Sequence, residues 1–292
     1  MRKYSQYVFL LVSLMIVGKV SARGEQSVIT FEMGDYLVST LSEGGGNGNS
    51  GILVGATPEL LQKYLPNGTF PLETTVFLVR TPDKNILIDT GHGRKLFDNL
   101  ESLKIKPEQI DIILLTHAHG DHIGGMLRDG KAAFPNAELY ISKAEHDYWV
   151  KDQKKKQVCD AIAAYQKKLH LFVPDELNAK ATSLLPDIQA IAAYGHTPGH
   201  TVFLIKSAQS KLLIWGDLTH ASPVQFPHPE VALSFDTDPK QAIETRKKIL
   251  EYVSKNKIPA GGMHIVFPSI GNVSANKEAG YLFDAFCTCL GI

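Results

Sequence analysis

The sequence predicts an α/β protein made of two similar halves, each a sheet with helices packed outside it. Three observations predict this. Short apolar runs alternate with helix-like stretches along the chain after residue 75. Two stretches, TVFLVRTPDKNILIDTG (Thr75 to Gly91) and TVFLIKSAQSKLLIWGD (Thr201 to Asp217), align without a gap, each reading as strand, turn, strand and then an Asp at the strand's end. Finally, polar side chains gather where apolar runs stop, the densest case being LLTHAHGDHIGG (Leu114 to Gly125).

Each element has its own signal. TVFLVR (Thr75 to Arg80) and NILIDT (Asn85 to Thr90) read as strands joined by a turn. DIILLT (Asp111 to Thr116) is nearly all apolar, as expected of a strand covered on both faces, and AELYIS (Ala137 to Ser142) is another strand. In the second half IQAIAAY (Ile188 to Tyr194), TVFLIK (Thr201 to Lys206) and KLLIWG (Lys211 to Gly216) repeat the strand pattern. QVCDAIAAYQKKL (Gln157 to Leu169) has helical periodicity. The strongest helix signal is Asp238 to Lys257, with Asp238 as cap, Pro239 at the first helical position and Gln241 placed to complete a capping box. Its apolar face carries Ala242, Ile243, Ile249, Leu250 and Val253. SEGGGNGNSG (Ser42 to Gly51) reads by composition as a mobile loop, and KDQKKK (Lys151 to Lys156) as a solvated helix face.

The chain's 292 residues suffice for a large core, and 44% apolar with 21% charged residues is an ordinary globular composition. Lys plus Arg equals Asp plus Glu at 30 each, so no overall basic field exists to attract nucleic acid. Arg2 and Lys3, the apolar run Val8 to Val17 and the small residues of VSA (Val20 to Ala22) form the three parts of a secretory signal. The run is too short to span a bilayer, which takes roughly 20 residues. The expected organisation is therefore a signal peptide over 1–22, cleaved near Ala22, and one domain over 23–292. The product is expected to be periplasmic or secreted, with no stable membrane insertion. In such a compartment Cys159 could pair with Cys287 or Cys289.

HxHxDH places His117, His119, Asp121 and His122 at a strand end. Four polar groups there are costly to bury unless something binds them, and a metal ion does. Later strand-like runs end in the same way, with GHTPGH closing on His200, IWGDLTH carrying Asp217 and His220, and GGMHIVFP carrying His264. Imidazole and carboxylate suit a borderline divalent ion, zinc first, though manganese, cobalt and iron accept these donors. With His220 set aside, five His and two Asp exceed what one catalytic ion uses and suit two ions sharing a carboxylate. His92, His146, His170 and His228 lack ligand spacing and are read as ordinary side chains.

Taken together, these motifs resemble the metallo-β-lactamase superfamily of hydrolases over about residues 30 to 285, with the closest look to its methyl parathion hydrolase and lactonase-like branch. The resemblance implies a four-layer αβ/βα sandwich with two metals at one edge between the sheets. It implies one metal on His117, His119 and His200, a second on Asp121, His122 and His264, and Asp217 bridging. Asp89 in LIDTG matches a family position that supports the metal loops without binding metal. Acyl homoserine lactone lactonases carry Tyr three residues after the bridging Asp; here that place is His220, which either donates to a substrate oxygen or braces its loop. With Asp121 as proton carrier, these give Asp121 and His220 as the catalytic pair. Relatives place an aromatic wall near Tyr148 and Trp149, with Phe172 and Phe267 as further substrate-binding candidates. An apolar pocket favours small acyl lactones, aryl esters or phosphotriesters, and relatives commonly form homodimers. The alternative is a zinc β-lactamase, which the export signal also suits but which lacks an Asp at the position of Asp217.

Overall fold

The computed structural model describes residues 26–286. The signal segment, Cys287 and Cys289 lie outside the described residues. The first sheet has seven strands in chain order: β1 (Val28–Met33), β2 (Tyr36–Asn49), β3 (Thr69–Arg80), β4 (Asn85–Ile88), β5 (Ile112–Leu114), β6 (Glu138–Ser142) and β7 (Leu169–Phe172). β1 to β4 pair antiparallel and β4 to β7 parallel. The second sheet also follows chain order: β8 (Ser183–Leu185), β9 (Ile188–Ala192), β10 (Thr201–Ser207), β11 (Ser210–Ile214), β12 (Ala260–Gly261), β13 (Ile270–Ala275) and β14 (Tyr281–Ala285). All its pairings are antiparallel except β11 with β12.

The two aligned stretches form the same object in each sheet. The β3–β4 hairpin pairs Phe77 with Ile88 and Arg80 with Asn85, while the β10–β11 hairpin pairs Phe203 with Ile214 and Lys206 with Lys211. The spacing is identical residue for residue.

Strand alternation then explains the layers. Phe77, Val79, Ile86 and Ile88 face Phe203, Ile205, Leu212 and Ile214 in one core between the sheets. Their neighbours Val76, Leu78 and Leu87 point outward, onto Leu96 and Leu100 of α2 (Leu96–Ser102) and Val158 and Ile162 of α5 (Lys156–Ala164). In the second sheet Val202, Leu204 and Leu213 pack outward on Ile249, Leu250 and Val253 of α7 (Pro239–Asn256). This is the αβ/βα sandwich. Each such side chain, fully buried, contributes roughly 1.5–3 kcal/mol.

Several local expectations are corrected. Ser42 to Asn49 is strand, not loop: after a bulge between Ser42 and Gly45, β2 continues to pair with Thr69 to Glu73. The small residues serve packing, since a Cβ on Gly48 would lie 2.4 Å from the Phe70 ring. α5 stops at Ala164, and a short 3-10 turn over Gln166–Lys168 follows. Lys151 to Lys156 is exposed, but it closes a π-helical turn (Asp147–Asp152) and begins α5, with no single helix running through it. On α7, Asp238 accepts from the Gln241 amide at 3.0 Å, and the buried face includes Arg246 while Ile243 is only partly covered. Among the described residues no helix is long and apolar enough to cross a membrane.

Candidate metal centre

The ligand-bearing loops all leave the same edge of the sandwich. β5 ends at Leu114, and Thr116 donates its amide to Asp89 Oδ1 at 2.8 Å and its hydroxyl to Oδ2 at 2.7 Å. Its carbonyl accepts from Thr201 of the second sheet at 2.9 Å. His117 and His119 follow in extended chain, and α3 (Gly120–Ile123) then turns Asp121 and His122 toward the same space.

Two clusters result, and a third group, Asp217, His220 and His264, overlaps them. His117 Nε2 lies 2.9 Å from His119 Nδ1, which lies 3.0 Å from His196 Nε2. Asp121 and His122 meet His264, with His264 Nε2 3.3 Å from Asp121 Oδ2. Asp217 stands between them. Its Oδ2 is 3.2 Å from His196 Nε2 and 3.5 Å from His117 Nε2, while its Oδ1 is 3.0 Å from His122 Nε2 and 3.2 Å from His264 Nε2. One carboxylate thus presents an oxygen to each cluster.

The far nitrogen of most of these rings is already taken. His122 Nδ1 donates to Asp89 Oδ2 at 2.6 Å, His196 Nδ1 to Asp236 Oδ1 at 2.8 Å and His264 Nδ1 to the Glu73 carbonyl at 2.8 Å. His117 Nδ1 sits 3.1 Å from the Thr116 hydroxyl. Because that hydroxyl donates to Asp89, it can only accept from His117. These bonds hold the Nδ1 protons outward, so that each ring, when neutral, presents an inward lone pair. Lone pairs converging at such distances cannot satisfy one another. His122 Nε2 and Asp217 Oδ1 are buried with no hydrogen-bond partner. Divalent cations fit both clusters, because they supply what the protein leaves unpaired.

Charge follows the same geometry. Burial would raise the Asp217 carboxyl, but His122 and His264 hold it well below the usual carboxylate range. Burial would keep His264 neutral, yet Asp217 and Asp121 push it up to about 10. His122 and His196 are raised as well, against burial, by Asp217 and by their second carboxylates Asp89 and Asp236. Burial pushes His119 down to about 4 and His200 to about 3.

A family model described as the metallo-beta-lactamase superfamily matches residues 69–257. The chain belongs to that superfamily. It is a hydrolase of the metallo-β-lactamase fold. The crystal structure of the β-lactamase-superfamily hydrolase AbOPH superposes with a TM-score of 0.81 at 28% identity, covering 91% of this chain and 99% of that one. AidC, a dizinc quorum-quenching lactonase in complex with a homoserine product, gives 0.80 at 28% identity, over 90% and 99% of the two chains. An N-acyl homoserine lactonase of Bacillus cereus is 25% identical over 223 residues, 66% of this chain and 81% of its own.

Within this superfamily frame one ligand assignment changes. GHTPGH supplies His196 to the first cluster, not His200. His200 immediately precedes β10 and lies beneath the site. Its Nδ1 donates to the Ala193 carbonyl at 2.9 Å and its Nε2 accepts the Asp217 amide at 3.1 Å, so neither nitrogen is available. His196 sits four residues earlier at the loop's tip, where its ring reaches inward. A Cβ on Gly216 would lie 2.6 Å from His200 Nε2, so this glycine lets the Asp217 loop close over that ring.

His220 stacks on His264 with ring centroids 4.4 Å apart, and its Nε2 lies 3.0 Å from Asp217 Oδ2. Burial pushes it down to about 4, so the neutral ring donates from Nε2 to Asp217. Its Nδ1 is buried without a partner and is an acceptor in that tautomer. The geometry is that of a brace on Asp217.

A cavity of about 390 Å³ opens over the clusters, floored by His119, Asp121, Asp217, His220 and His264. Its apolar walls are Ile52, Leu72 and Phe235, not the aromatic residues expected from the sequence. Trp149 packs behind His119, ring centroids 5.5 Å apart, and donates to Glu145. Phe172 and Phe267 pack on the core between the sheets. Ile52 and Leu72 belong to a satellite: the two-residue strands Leu53–Val54 and Ala232–Leu233 pair there, beside α1 (Pro58–Tyr64) and α6 (Ser222–Gln225).

Of the buried charged residues that the sequence did not mark, three grip backbone far away in the chain. Glu43 accepts from the backbone amides of Gly93, Lys95 and Leu96, each at 3.1 Å. Arg246 donates to the carbonyls of Leu218, Pro229 and Val231 at 2.7, 3.0 and 2.8 Å. Glu145 is the third, reached from α4 (Lys143–His146). The SxxE spacing of Ser142 and Glu145 was the available signal; Ser142 does cap the helix, but the carboxylate turns away to other loops.

Proposed function

We propose that the protein is a dinuclear metallohydrolase, zinc-loaded, that cleaves lactones and related esters carrying an apolar substituent. The observation that carries this is the two-faced Asp217, one oxygen to each cluster, beneath a cavity with apolar walls. The dizinc lactonase AidC and the Bacillus cereus lactonase support the same reading.

His117, His119 and His196 would hold one ion, Asp121, His122 and His264 the other, with Asp217 shared. Bound there, a pair of divalent ions supplies Lewis acidity and a water ionised near neutral pH. The chain's own residues do the rest. Ile52, Leu72 and Phe235 take the apolar substituent and exclude water around it. Asp121 is the one site carboxylate that reaches the cavity wall with part of its surface open. It accepts the proton of the attacking water and returns it to the leaving oxygen. A C–O bond to the water oxygen forms, the acyl C–O bond to the leaving oxygen breaks, and the ring opens to a hydroxy acid. His220, part of the cavity floor, keeps Asp217 in place throughout.

The test is a hydrolysis panel on metal-quantified protein, with Asp217→Ala as control: an acyl homoserine lactone, a δ-lactone, an aryl phosphotriester and a chromogenic cephalosporin. Fast lactone or ester turnover that is lost in the control supports the proposal. Preferred cephalosporin turnover would overturn it in favour of a β-lactamase. Export and a homodimeric state belong to the same proposal. Sequencing the N-terminus of protein recovered outside the cytoplasm, expected to begin after Ala22, checks the first; light scattering checks the second.

A further inference from the structure

Glu145 is fully buried, and both oxygens are saturated by donors from three directions. Oε1 accepts from the Ala118 amide at 2.9 Å and from Trp149 Nε1 at 2.6 Å. Oε2 accepts from the Thr197 hydroxyl at 2.6 Å and from the Gly199 amide at 3.0 Å. Ala118 lies between His117 and His119, and Thr197 follows His196. A single side chain therefore grips both loops that bring three imidazoles together, one from each half of the sandwich. Trp149, its fourth donor, rests its ring edge on His119. The surroundings are built to this fit. Ser142 caps α4 at the Glu145 amide and donates to the Gly199 carbonyl at 2.8 Å. A Cβ on Gly199 would lie 2.1 Å from the Glu145 nitrogen, so only glycine lets the loop come this close.

A buried carboxylate whose four partners are all neutral donors is expensive as a stability device. Its worth lies in direction: acceptors at both ends of one rigid group fix the separation of two loops that no covalent link joins. We propose that Glu145 is the positioning residue that sets the spacing of His117, His119 and His196, and thereby the affinity of that cluster for its metal ion relative to the neighbouring one. The inference rests on the reading of the clusters as a two-ion centre.

The experiment is a cobalt and zinc titration of chelator-stripped protein against a competing indicator, with cobalt absorption spectra to tell the sites apart. His196→Ala and His264→Ala, each retaining one intact cluster, serve as spectral references. In Glu145→Gln an amide nitrogen must face N–H or O–H donors. We expect the three-imidazole site to lose about 10–100-fold in affinity, with the other site changed by less than about threefold. Thr197→Val removes one grip and leaves the carboxylate in place; it should weaken the same site by a smaller factor and keeps the test open if Glu145→Gln does not fold. Equal weakening of both sites in a folded variant, or unchanged affinity at the three-imidazole site, overturns the role of Glu145. A wild-type chain that binds no metal overturns the two-ion reading first, and is told apart because the wild type itself fails.

Discussion

The Nε2 atom of His200 accepts the backbone amide of Asp217 at 3.1 Å, so the residue expected to bind metal instead holds the backbone of the carboxylate that faces both clusters. Two substitutions separate these roles. His196→Ala should reduce bound metal from two ions to one, and should also cost the stripped protein stability because buried Asp236 loses its partner. His200→Ala should bind two ions at saturating metal. It should cost about 2–5 kcal/mol of stability, because it leaves a cavity and two unpaired backbone groups. Metal analysis and thermal melts of both variants decide it, and loss of an ion in His200→Ala would contradict the assignment.

Asp89 takes up a left-handed backbone, φ 60°, at the end of β4, and from there receives three hydrogen bonds from Thr116 and His122. Asp89→Asn puts an NH2 group against one of those donors. A 10–100-fold loss of metal affinity on the His122 side is expected, read by competitive titration, with the His117 side less affected.

For the chelator-stripped protein the pH dependence has a definite sign. His264 is raised to about 10 in the fold, above an unfolded value near 6.5. Its contribution is complete below about pH 6.5 and is lost as pH rises through 10. His119 and His220, lowered to about 4 by burial, act in the other direction: their contribution is present above about 6.5 and lost as pH falls through 4. The stripped protein should therefore melt progressively lower on going from pH 7 to 10. Zinc should bind more tightly over the same range, releasing protons as it does. Melting curves with and without zinc check both, and a stripped protein that gains stability toward pH 10 would contradict them.

Arg246 reaches from α7 to three carbonyls of the segment that carries His220 and leads to Phe235. Arg246→Met keeps the volume but strips those carbonyls of their donor. We expect a loss of about 3 kcal/mol, a drop of roughly 6–12 °C in melting temperature. KM should rise more than kcat falls, since the cavity wall loosens before the ligands do.

Phe235 is 41% exposed on the cavity wall, where an apolar group bound in the cavity would cover it. Phe235→Ala should raise KM for long-chain acyl lactones about tenfold and leave short-chain ones nearly unchanged. Phe172→Ala should lower the melting temperature with KM unaltered, as befits a side chain in the core between the sheets. A KM effect of equal size in both would return Phe172 to the pocket.

Much of this was legible in the chain. Period-two burial on both faces makes TVFLV and DIILL nearly continuous apolar runs, and the gapless match of the two hairpins became identical strand registers. HxHxDH was legible because polar groups at a buried strand end need a partner. What was hidden is what spacing does not encode. His196 and His200 share one motif, and only the loop's path shows that the first projects while the second is folded under. The glycines of β2 looked like loop because composition does not report that Phe70 lies across them. Glu43, Glu145 and Arg246 each act on backbone distant in sequence, and no local pattern marks that.

The two-sheet origin of the clusters also decides what metals bound there would do for the molecule as a whole. Each cluster draws two residues from the first sheet's loops and one imidazole from the second's, and Asp217 adds the second sheet's share to both. Ions held there would be rivets through the seam between two half-proteins that otherwise meet through apolar surfaces and a few hydrogen bonds. Removing them should loosen the seam while the apolar core between the sheets still holds it closed. The catalytic centre would then double as a fastening of the sandwich.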